Sequence, residues 1–250
     1  MKKTLMLILL FTNCIVLGCD KKSNKNDLEK ENLKGNVVSV KRTNYKVTEK
    51  FGEPVKGEKE CDDFFTICEN IKKYNDLGNL IEISDYNSFG VLFISKIKYN
   101  DKNQRIEQNR YTPEEGKLVM QFKWKYDLNG NCIEESSDHG WMVKREYDAN
   151  NNLNKELIKH WQTGEYIETT YIYNENNEII TEIYSQGKAE YTYYDDGNIK
   201  DIIRYTKDGR IKTKWSYKYE YDSHKNWIVQ IEYENGTPTS YIERIIEYKN

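Results

Sequence analysis

The chain has 250 residues, of which 32% are charged, and its formal net charge is -3. The mild acidity and the interleaving of lysine with glutamate exclude the basic face that nucleic acid requires, so we expect no nucleic-acid partner. Only two alanines and nine leucines follow residue 19, against 21 tyrosines, and this composition favours strands over helices.

The first segment, residues 1–19, is predicted to be an export signal. It has two lysines near its start, an apolar run over 5–17 and Gly18 before Cys19. The run is too short to span a membrane and is followed at once by charged residues. The ending "VLGC" resembles the lipobox of bacterial lipoproteins, which implies cleavage before Cys19 and acylation of that cysteine. Ordinary signal cleavage is the alternative.

Residues 19–34 are predicted to be the lipidated cysteine and a polar tether, since "DKKSNKNDLEKENLK" contains no aromatic residue. Acyl chains on Cys19 would hold the mature protein on a membrane without a crossing helix, so the membrane is an expected partner. We therefore expect a location in the cell envelope, at the outer membrane, with the periplasmic and cell-surface sides both open. Residues 35–250 are then the folded domain.

Two features precede the repeated part of the chain. The stretch "GNVVSVKRTNYKV", from Gly35, predicts at least one strand. Cys61 and Cys68 bound "CDDFFTIC" and can form a disulfide in an oxidising compartment. Cys132 occupies an apolar slot of the repeat and is predicted to be a small buried side chain rather than a reactive thiol.

From residue 74 the chain repeats a short pattern about every 25 residues, which indicates an array. Each copy has a tyrosine, then Asp or Asn in most copies, then a Gly or Asn four positions after the tyrosine, and then an apolar residue. The repeat-defining tyrosines are Tyr74, Tyr99, Tyr126, Tyr147, Tyr173, Tyr194 and Tyr221.

The pattern predicts a turn in each copy. In "YDLNGNCI" the tyrosine ends a strand, Asp127 caps a type I turn, and Gly130 takes the left-handed backbone conformation. Five of six copies have Gly or Asn at the left-handed slot, but the last has Lys225, where we expect a strained or rearranged turn. The copy at Tyr194 is one residue shorter, with Gly197 arriving early.

A second class of turn lies between these. It is marked by Gly90, Gly116, Gly140, Gly164, Gly187, Gly209 and Gly236. Two turns per repeat mean two strands per repeat, so we expect an all-β fold, a long antiparallel meander of about 14 short strands.

The strands alternate by twos between an apolar and a polar face. One face is formed by Trp215, Tyr217, Tyr219 and Tyr221 in "TKWSYKYEYD", by Phe122, Trp124 and Tyr126 in "FKWKYD", and by Trp227, Val229, Ile231 and Tyr233 in "NWIVQIEY". Because one face is aromatic, the sheet is expected to curl and close on itself as a roll or incomplete barrel.

These units resemble the YD repeat of the RHS-repeat family, whose pattern is YDxxGxL; "YNDLGNLI", "YDLNGNCI" and "YDSHKNWI" are the nearest copies. With the lipobox, "LKGNVVSV" and "EKFGEPVKG", the chain is similar over residues 33–250 to the short RHS-repeat lipoproteins of Gram-negative bacteria. Large relatives wind such strands into a shell around a toxin domain, but this array is too short for one and no toxin-like domain follows Tyr248. The resemblance implies binding or containment and carries no catalytic residue onto this chain.

No motif predicts an active site or a metal. The stretches "DLNGN" and "DANNN" begin like a calcium loop, but Cys132 or Leu153 stands where that loop requires glycine. The three histidines lack the spacing of a zinc protease, and adjacent acids such as Glu134 and Glu135 point to opposite faces of a strand. We therefore expect no enzyme, no cofactor and no metal.

One hypothesis concerns two neighbouring turns. "SDHGWMV" and "IKHWQTGEY" place His139 with Trp141, and His160 with Trp161, at consecutive turns of the second class, about 10 Å apart. The four side chains would form a platform that stacks a sugar or grips a peptide. The alternative is that the tryptophans belong to the core and the histidines are solvated.

The predicted function is a non-enzymatic, lipid-anchored envelope module that binds a protein or glycan through its β-array. This prediction rests on the array itself, because repeated hairpins offer many similar side-chain rows and no concentrated reactive site. One alternative is an immunity or accessory protein that binds a single toxin or secreted partner. An envelope enzyme is the third and least favoured possibility.

Overall fold

One antiparallel sheet contains nearly all of the described chain. The computed structural model describes residues 25–61, 66–160 and 163–249. Within these ranges the chain forms one short helix and seventeen strands. They are α1 (Asp27–Lys30), β1 (Val37–Lys50), β2 (Glu53–Lys59), β3 (Glu69–Tyr74), β4 (Leu80–Asn87), β5 (Gly90–Tyr99), β6 (Arg105–Tyr111), β7 (Leu118–Tyr126), β8 (Cys132–Ser137), β9 (Met142–Tyr147), β10 (Leu153–Lys159), β11 (Tyr166–Tyr173), β12 (Ile179–Tyr184), β13 (Gly187–Tyr193), β14 (Ile199–Thr206), β15 (Ile211–Tyr221), β16 (Trp227–Glu234) and β17 (Thr237–Tyr248).

Sixteen of the strands close into a barrel. β3 to β17 pair in sequence order, each antiparallel to the next. β1 completes the ring, because its residues 37–45 pair with β17 and its residues 39–43 pair with β3. The far half of β1 pairs with β2, which stays outside the ring.

The all-β prediction is confirmed, but the expected strand number and the expected incomplete closure are both wrong. The expected count of about 14 strands included only the hairpins of the repeat. β1, β2 and β3 are further strands that precede the first repeat turn. Closure has a physical reason: an open sheet would leave the outer backbone N–H and C=O groups of β1 and β17 without partners, and their pairing removes both edges.

The turns between strands divide between the two ends of the barrel. The seven turns that follow the repeat tyrosines lie at one end, here called the tyrosine end, and the seven glycine turns lie at the other, the glycine end. The predicted left-handed slots are confirmed, since φ at all seven slots from Gly78 to Lys225 lies between 58° and 87°. All seven glycines of the second class also have positive φ.

The turn chemistry of the repeat is also confirmed. The Asp127 carboxylate accepts hydrogen bonds from the Asn131 backbone N–H (2.8 Å) and from its side-chain amide (2.9 Å). The Gly130 N–H donates to the Asp127 carbonyl at 3.1 Å and closes the turn. Turn formation therefore uses the oxygens that a calcium loop would need.

Four of the repeat tyrosines hold neighbouring strands together through their hydroxyls. Tyr126 donates to the carbonyl of Arg105, the first residue of the adjacent strand, at 2.8 Å. The same bond joins Tyr99 to Leu80, Tyr147 to Cys132 and Tyr173 to Leu153. Near the two later turns Tyr193 and Tyr219 make it instead, to Ile179 and Ile199, whereas the Tyr74 hydroxyl donates to Glu31. A tyrosine beside the turn is thus a cross-strand tie in most copies.

The sixth copy is full length when it is aligned on Tyr193, so the prediction that it begins at Tyr194 and is one residue shorter is wrong. Its turn is closed by the bonds Tyr194 N–H to Asn198 O and Gly197 N–H to Tyr194 O, which match those around Asp127 and Gly130. Tyr194 therefore occupies the position of the capping Asp, and two successive tyrosines hid this register in the sequence.

The last turn keeps the geometry of the others despite Lys225. The Lys225 N–H donates to the Asp222 carbonyl at 3.1 Å, and the Asp222 N–H donates to the Asn226 carbonyl at 2.9 Å. The backbone of Lys225 has φ 63°. The turn is strained but not rearranged, because the hydrogen-bond pattern fixes a conformation that a side chain with a Cβ disfavours.

Replacing Lys225 by Gly is expected to stabilise the fold by about 0.5–1 kcal/mol. Glycine adopts the left-handed conformation without the steric cost that a Cβ imposes, and this gain exceeds the additional backbone entropy that glycine loses on folding. Urea unfolding measures this change. Asn151→Gly is the matched control, because asparagine tolerates its φ of 61° and little gain is expected there. A Lys225→Gly variant that is less stable than the wild type would contradict the strain.

The segment before β1 crosses the tyrosine end of the barrel. Asp27 lies 3.6 Å from Arg105 on β6, and the Asn32 side chain donates to the Asp196 carbonyl, in the turn after β13, at 2.9 Å. β6 and β13 are seven positions apart in a ring of sixteen, so residues 27–32 must span the opening rather than follow the outer wall.

This crossing corrects the expected tether. Asn26 caps α1 through a capping box with Glu29, and Leu28 and Leu33 are buried. The two leucines belong to a core cluster with Val37, Val40, Tyr74, Leu80 and Ile97. Residues 26–34 are therefore part of the fold, and side chains on the face of Val40 and Ile97 point into the barrel.

The aromatic row of β15 lies on this inner face, but the apolar row of β16 does not. Gln230 and Glu232 lie directly opposite Tyr219 and Tyr217, and residues opposite each other share a face. Val229 and Ile231 consequently share the outer face with their partners Glu220 and Lys218. A bulge beside the turn shifts the register, so Trp227 and Val229 point to opposite faces although they are two residues apart.

Opposite charges face each other on the outer wall of successive tyrosine-end hairpins. The pairs are Lys73 with Glu82 at 2.9 Å, Lys98 with Glu107 at 2.7 Å, Lys125 with Glu134 at 2.6 Å and Lys155 with Glu146 at 3.8 Å. The lysine side chains of the first three are more than half exposed. Such exposed pairs add little stability. No helix in the described ranges has the length and apolarity to cross a bilayer.

Candidate functional site

The two ends of the barrel expose different side chains. At the glycine end, Phe51 in the β1–β2 hairpin is 96% exposed and Phe89 in the β4–β5 turn is 76% exposed. At the tyrosine end the most exposed large hydrophobic side chains are the aliphatic Leu77 and Leu128, and the exposed aromatic residues there, Tyr194 and Tyr221, are only 37% and 40% exposed. Exposed aromatic side chains are characteristic of interaction surfaces, so the glycine end is the better candidate for partner binding.

Part of the predicted His/Trp platform lies at this end. Met142 pairs with Lys159, which places the turn of His139 and Trp141 beside the turn of His160. Trp161 lies outside the described residues. The His139 side chain is 60% exposed, and its Nδ1 lies 2.8 Å from a carboxylate oxygen of Asp138.

Trp141 is half-buried and belongs to the barrel wall. Its ring packs edge-on against Phe122 with centroids 6.0 Å apart, and its Nε1 is buried without a hydrogen-bond partner among the described residues. His160 serves its own turn, because its Nδ1 accepts from the Thr163 N–H at 3.2 Å. The structure brings the turns of these groups together, and Trp141 packs partly into the wall while His160 bonds within its own turn.

The cysteines lie in two different surroundings. Cys61 and Cys68 form a disulfide next to the start of β3 at the glycine end, and the Asn44 N–H of β1 donates to the Cys68 carbonyl at 2.9 Å. Cys132 lies outside this disulfide and is buried, with only 3% of its surface exposed. Its sulfur lies 3.4 Å from Nη1 of Arg145.

The tyrosine end is organised around a buried aspartate. The Asp27 carboxylate accepts from the Leu80 N–H at 2.9 Å and from the Tyr99 hydroxyl at 2.5 Å, and it lies 3.3 Å from Lys30 Nζ. Burial raises the pKa of Asp27, but the charges of Arg105 and Lys30 and these two bonds outweigh burial and leave that pKa below its ordinary value. Asp27 is therefore a charged anchor for the N-terminal segment.

Four further hydrogen bonds fix the segment across the opening. Glu31 binds Lys72 Nζ at 2.7 Å and accepts from the Tyr74 hydroxyl at 3.1 Å. The Lys34 N–H donates to the Asn226 side chain at 2.8 Å, and the Asn226 amide donates back to the Lys34 carbonyl at 2.8 Å. These bonds reach the first and last repeat turns.

The inner wall carries acids and arginines between its aromatic rings. Arg145 Nε lies 2.9 Å from Glu156, and Nη2 lies 3.2 Å from Glu135. Burial raises the pKa of Glu182, and this effect exceeds the opposing influence of the Tyr191 hydrogen bond. The wall is therefore polar and aromatic, a lining suited to hydrophilic ligands rather than to an apolar core.

Sequence reasoning missed both the N-terminal anchor and the inner charges. The anchor had a local signal, because "NDLE" matches a capping box and Asn32, which follows the C-cap with φ 55°, is a residue type suited to a helix stop. The inner charges had none, because Arg145 and Glu156 become partners only through the pairing of β9 with β10.

Comparison with known proteins supports the fold alone. No protein-family model matches the chain, and no curated protein matches it. A porin-like protein from Bacteroides uniformis shares the barrel, with a TM-score of 0.52 at 12% identity over 91% of this chain and 100% of that one. Because the identity is this low, the likeness extends to the closed all-β barrel and no further.

Two other similarities are weaker. The structure of TcdB2-TccC3-TEV has a TM-score of 0.37 at 11% identity over 76% of this chain. The Tc holotoxin pore of Photorhabdus luminescens has a TM-score of 0.35 at 12% identity over 70% of this chain. The chain spans about a tenth of those proteins, 11% and 9% of their lengths respectively.

Proposed function

We propose that this protein is a lipid-anchored protein of the cell envelope whose barrel is a non-enzymatic binding module for a protein or a glycan. The observation that carries the proposal is the asymmetry of the barrel. The N-terminal segment is docked at the tyrosine end, while the exposed aromatic residues Phe51 and Phe89 lie at the glycine end.

The docked segment sets the orientation on the membrane. Lys25 follows Cys19 by six positions, and the connecting chain can reach at most about 20 Å. An acyl chain on Cys19 would therefore hold the tyrosine end towards the bilayer and turn the glycine end away from it. Leu77 and Leu128 would then face the lipid surface.

The outer wall supports anchoring rather than insertion. A charged lysine on a lipid-facing strand costs about 2–4 kcal/mol at the bilayer midplane. The cross-strand lysine–glutamate pairs would bring several such charges into lipid, whereas in water they are hydrated. The barrel shares its fold with a porin-like protein, but its charged wall favours a position beside an outer membrane rather than within it. Such a position agrees with the prediction of a YD-repeat lipoprotein.

The anchor is tested with a Cys19→Ser variant. We expect the wild type to incorporate labelled fatty acid and to sediment with membranes, and the variant to do neither. Protease treatment of intact and lysed cells then assigns the periplasmic or the cell-surface side. Fatty-acid labelling that persists in Cys19→Ser would refute the predicted lipidation site.

The binding surface is tested by comparing the two ends. A photo-crosslinking residue placed at Phe51 or Phe89 is expected to capture a partner in intact cells, and glycan-array binding is expected to fall in the double variant Phe51→Ala, Phe89→Ala. The matched control places the same changes at Leu77 and Leu128, which are similarly exposed at the other end. Equal signals from both ends would overturn the proposed orientation, and one protein captured stoichiometrically would favour the immunity or accessory role.

A further inference from the structure

Two arginines lie side by side on the inner face of the barrel, at the seam where the ring closes. Arg42 of β1 is directly opposite Arg244 of β17, and both share the face of Val40, which packs against the N-terminal segment. Arg244 is only 7% exposed. Its guanidinium stacks on the Trp227 ring, with 3.9 Å from Cζ to the ring centroid.

Neither arginine has an ionic partner within the described ranges. No carboxylate oxygen there lies within 4.0 Å of either guanidinium. Among the described residues, the buried Arg42 Nε donates to no acceptor, and the buried Asn44 Oδ1 on the same face of β1 accepts from no donor. Buried polar groups are normally paired, and a buried charge without a partner is costly.

The nearest acids do not neutralise the pair. Glu31 attracts both arginines, but its carboxylate is already bound to Lys72 and to the Tyr74 hydroxyl. Glu232 attracts Arg42 without forming an ion pair, and burial raises the pKa of Glu232, which weakens its negative charge. Two like charges are therefore held together with vacant hydrogen-bonding capacity.

We propose that Arg42 and Arg244 form a binding site for the carboxylate or phosphate of a small hydroxylated ligand, such as an acidic sugar or a sugar phosphate. The planar guanidinium of arginine matches both kinds of oxyanion, and two guanidinium groups can share one anion. The orphan Asn44 Oδ1 would accept from a ligand hydroxyl. This site lies inside the barrel and is separate from the surface proposed at the glycine end.

The test measures binding to the purified full-length protein by calorimetry in a low-salt buffer without oxyanions. The probes are glucuronate, glucose 6-phosphate, inorganic phosphate and, as the neutral probe, glucose. We expect the wild type to bind at least one of the three anions and not glucose, with affinity that falls as salt is added. Glucuronate alone would assign a carboxylate site, glucose 6-phosphate a sugar-phosphate site, and phosphate alone a site for the free ion.

Arg42→Gln and Arg244→Gln are each expected to weaken anion binding by about tenfold or more. Arg204→Gln is the matched control, because Arg204 also lies over a tryptophan ring, 4.7 Å from the Trp215 centroid, and carries no role in the site. If Arg244→Gln does not fold, Arg42→Gln decides the result, since Arg42 is the less buried of the two.

A second measurement does not depend on knowing the ligand. Without an anion, Arg42→Gln is expected to melt about 2–4 °C above the wild type, because it removes an uncompensated charge. The anion that binds should raise the melting temperature of the wild type and leave that of the variant unchanged. Failure of the wild type to bind any of the anions at about 10 mM would overturn the proposal. Equal binding by Arg42→Gln would overturn it as well.

Discussion

Replacing Asp27 by Ala is expected to lower the free energy of unfolding by about 3 kcal/mol or more. The change leaves the Leu80 N–H and the Tyr99 hydroxyl without their acceptor and removes the carboxylate that faces Arg105. Urea unfolding at neutral pH, followed by tryptophan fluorescence, measures the loss. Limited proteolysis then shows whether residues 25–36 detach from the tyrosine end.

Asp76→Ala is the matched control, because Asp76 is exposed and forms a surface pair with Lys249 at 2.7 Å. The pH dependence gives a second check. Since the pKa of folded Asp27 lies below its ordinary value, its stabilising effect is complete above about pH 4 and is lost as pH falls through the lowered pKa. The deficit of Asp27→Ala should therefore shrink only in strong acid, and a deficit that is no larger than that of Asp76→Ala would refute the anchor.

Replacing Gly187 by Ala is expected to destabilise the barrel by at least about 3 kcal/mol. Gly187 begins β13 with φ 152°, and a Cβ there would lie 1.9 Å from the Tyr205 carbonyl oxygen on β14. Backbone atoms cannot give way as a side chain can, so the pairing of β13 with β14 must shift. The loss is measured by urea unfolding.

Gly209→Ala separates this collision from the general cost of positive φ. Gly209 belongs to the same class of turn, has φ 82° and has open space where a Cβ would stand. About 1 kcal/mol is expected for its substitution. A Gly187→Ala variant that loses no more stability than Gly209→Ala would show that β14 accommodates the methyl group.

The local structure of the repeats was predictable because turn chemistry is a short-range property. A tyrosine, a capping Asp or Asn and a left-handed Gly or Asn lie within five residues, and each has its own conformational preference. The prediction failed where two tyrosines adjoin at Tyr193 and Tyr194. It also failed on β16, where a bulge changes which residues point inward although the alternation of residue types is regular.

Closure of the barrel depends on contacts that no local pattern encodes. The pairing of β1 with β17 and β3 depends on the twist and stagger summed over all strands. A small error in the predicted twist or stagger of each strand accumulates around the ring, so closure could not be predicted from the sequence. The crossing of the N-terminal segment was missed for a related reason. Its composition is that of a tether, and only its two leucines and its capping box distinguish it from one.

The candidate sites were likewise predictable only where their residues lie on turns that follow each other along the chain. His139, Trp141 and His160 were correctly expected to be neighbours, because their turns follow each other along the meander. Whether the Trp141 ring is free depends on Phe122, which the sequence does not reveal as its neighbour. Arg42 and Arg244 were not recognised at all, since they meet only through ring closure.

Because Val37 pairs with Tyr248, the barrel can close only when its first and last strands are both available. The two residues are about two hundred positions apart, so the ring cannot form until nearly the entire chain has been synthesised. Contacts of such long range slow folding, and the partly made sheet keeps two open edges that invite aggregation. Until the last strand pairs, both edges of the partial sheet remain open to pairing with other chains.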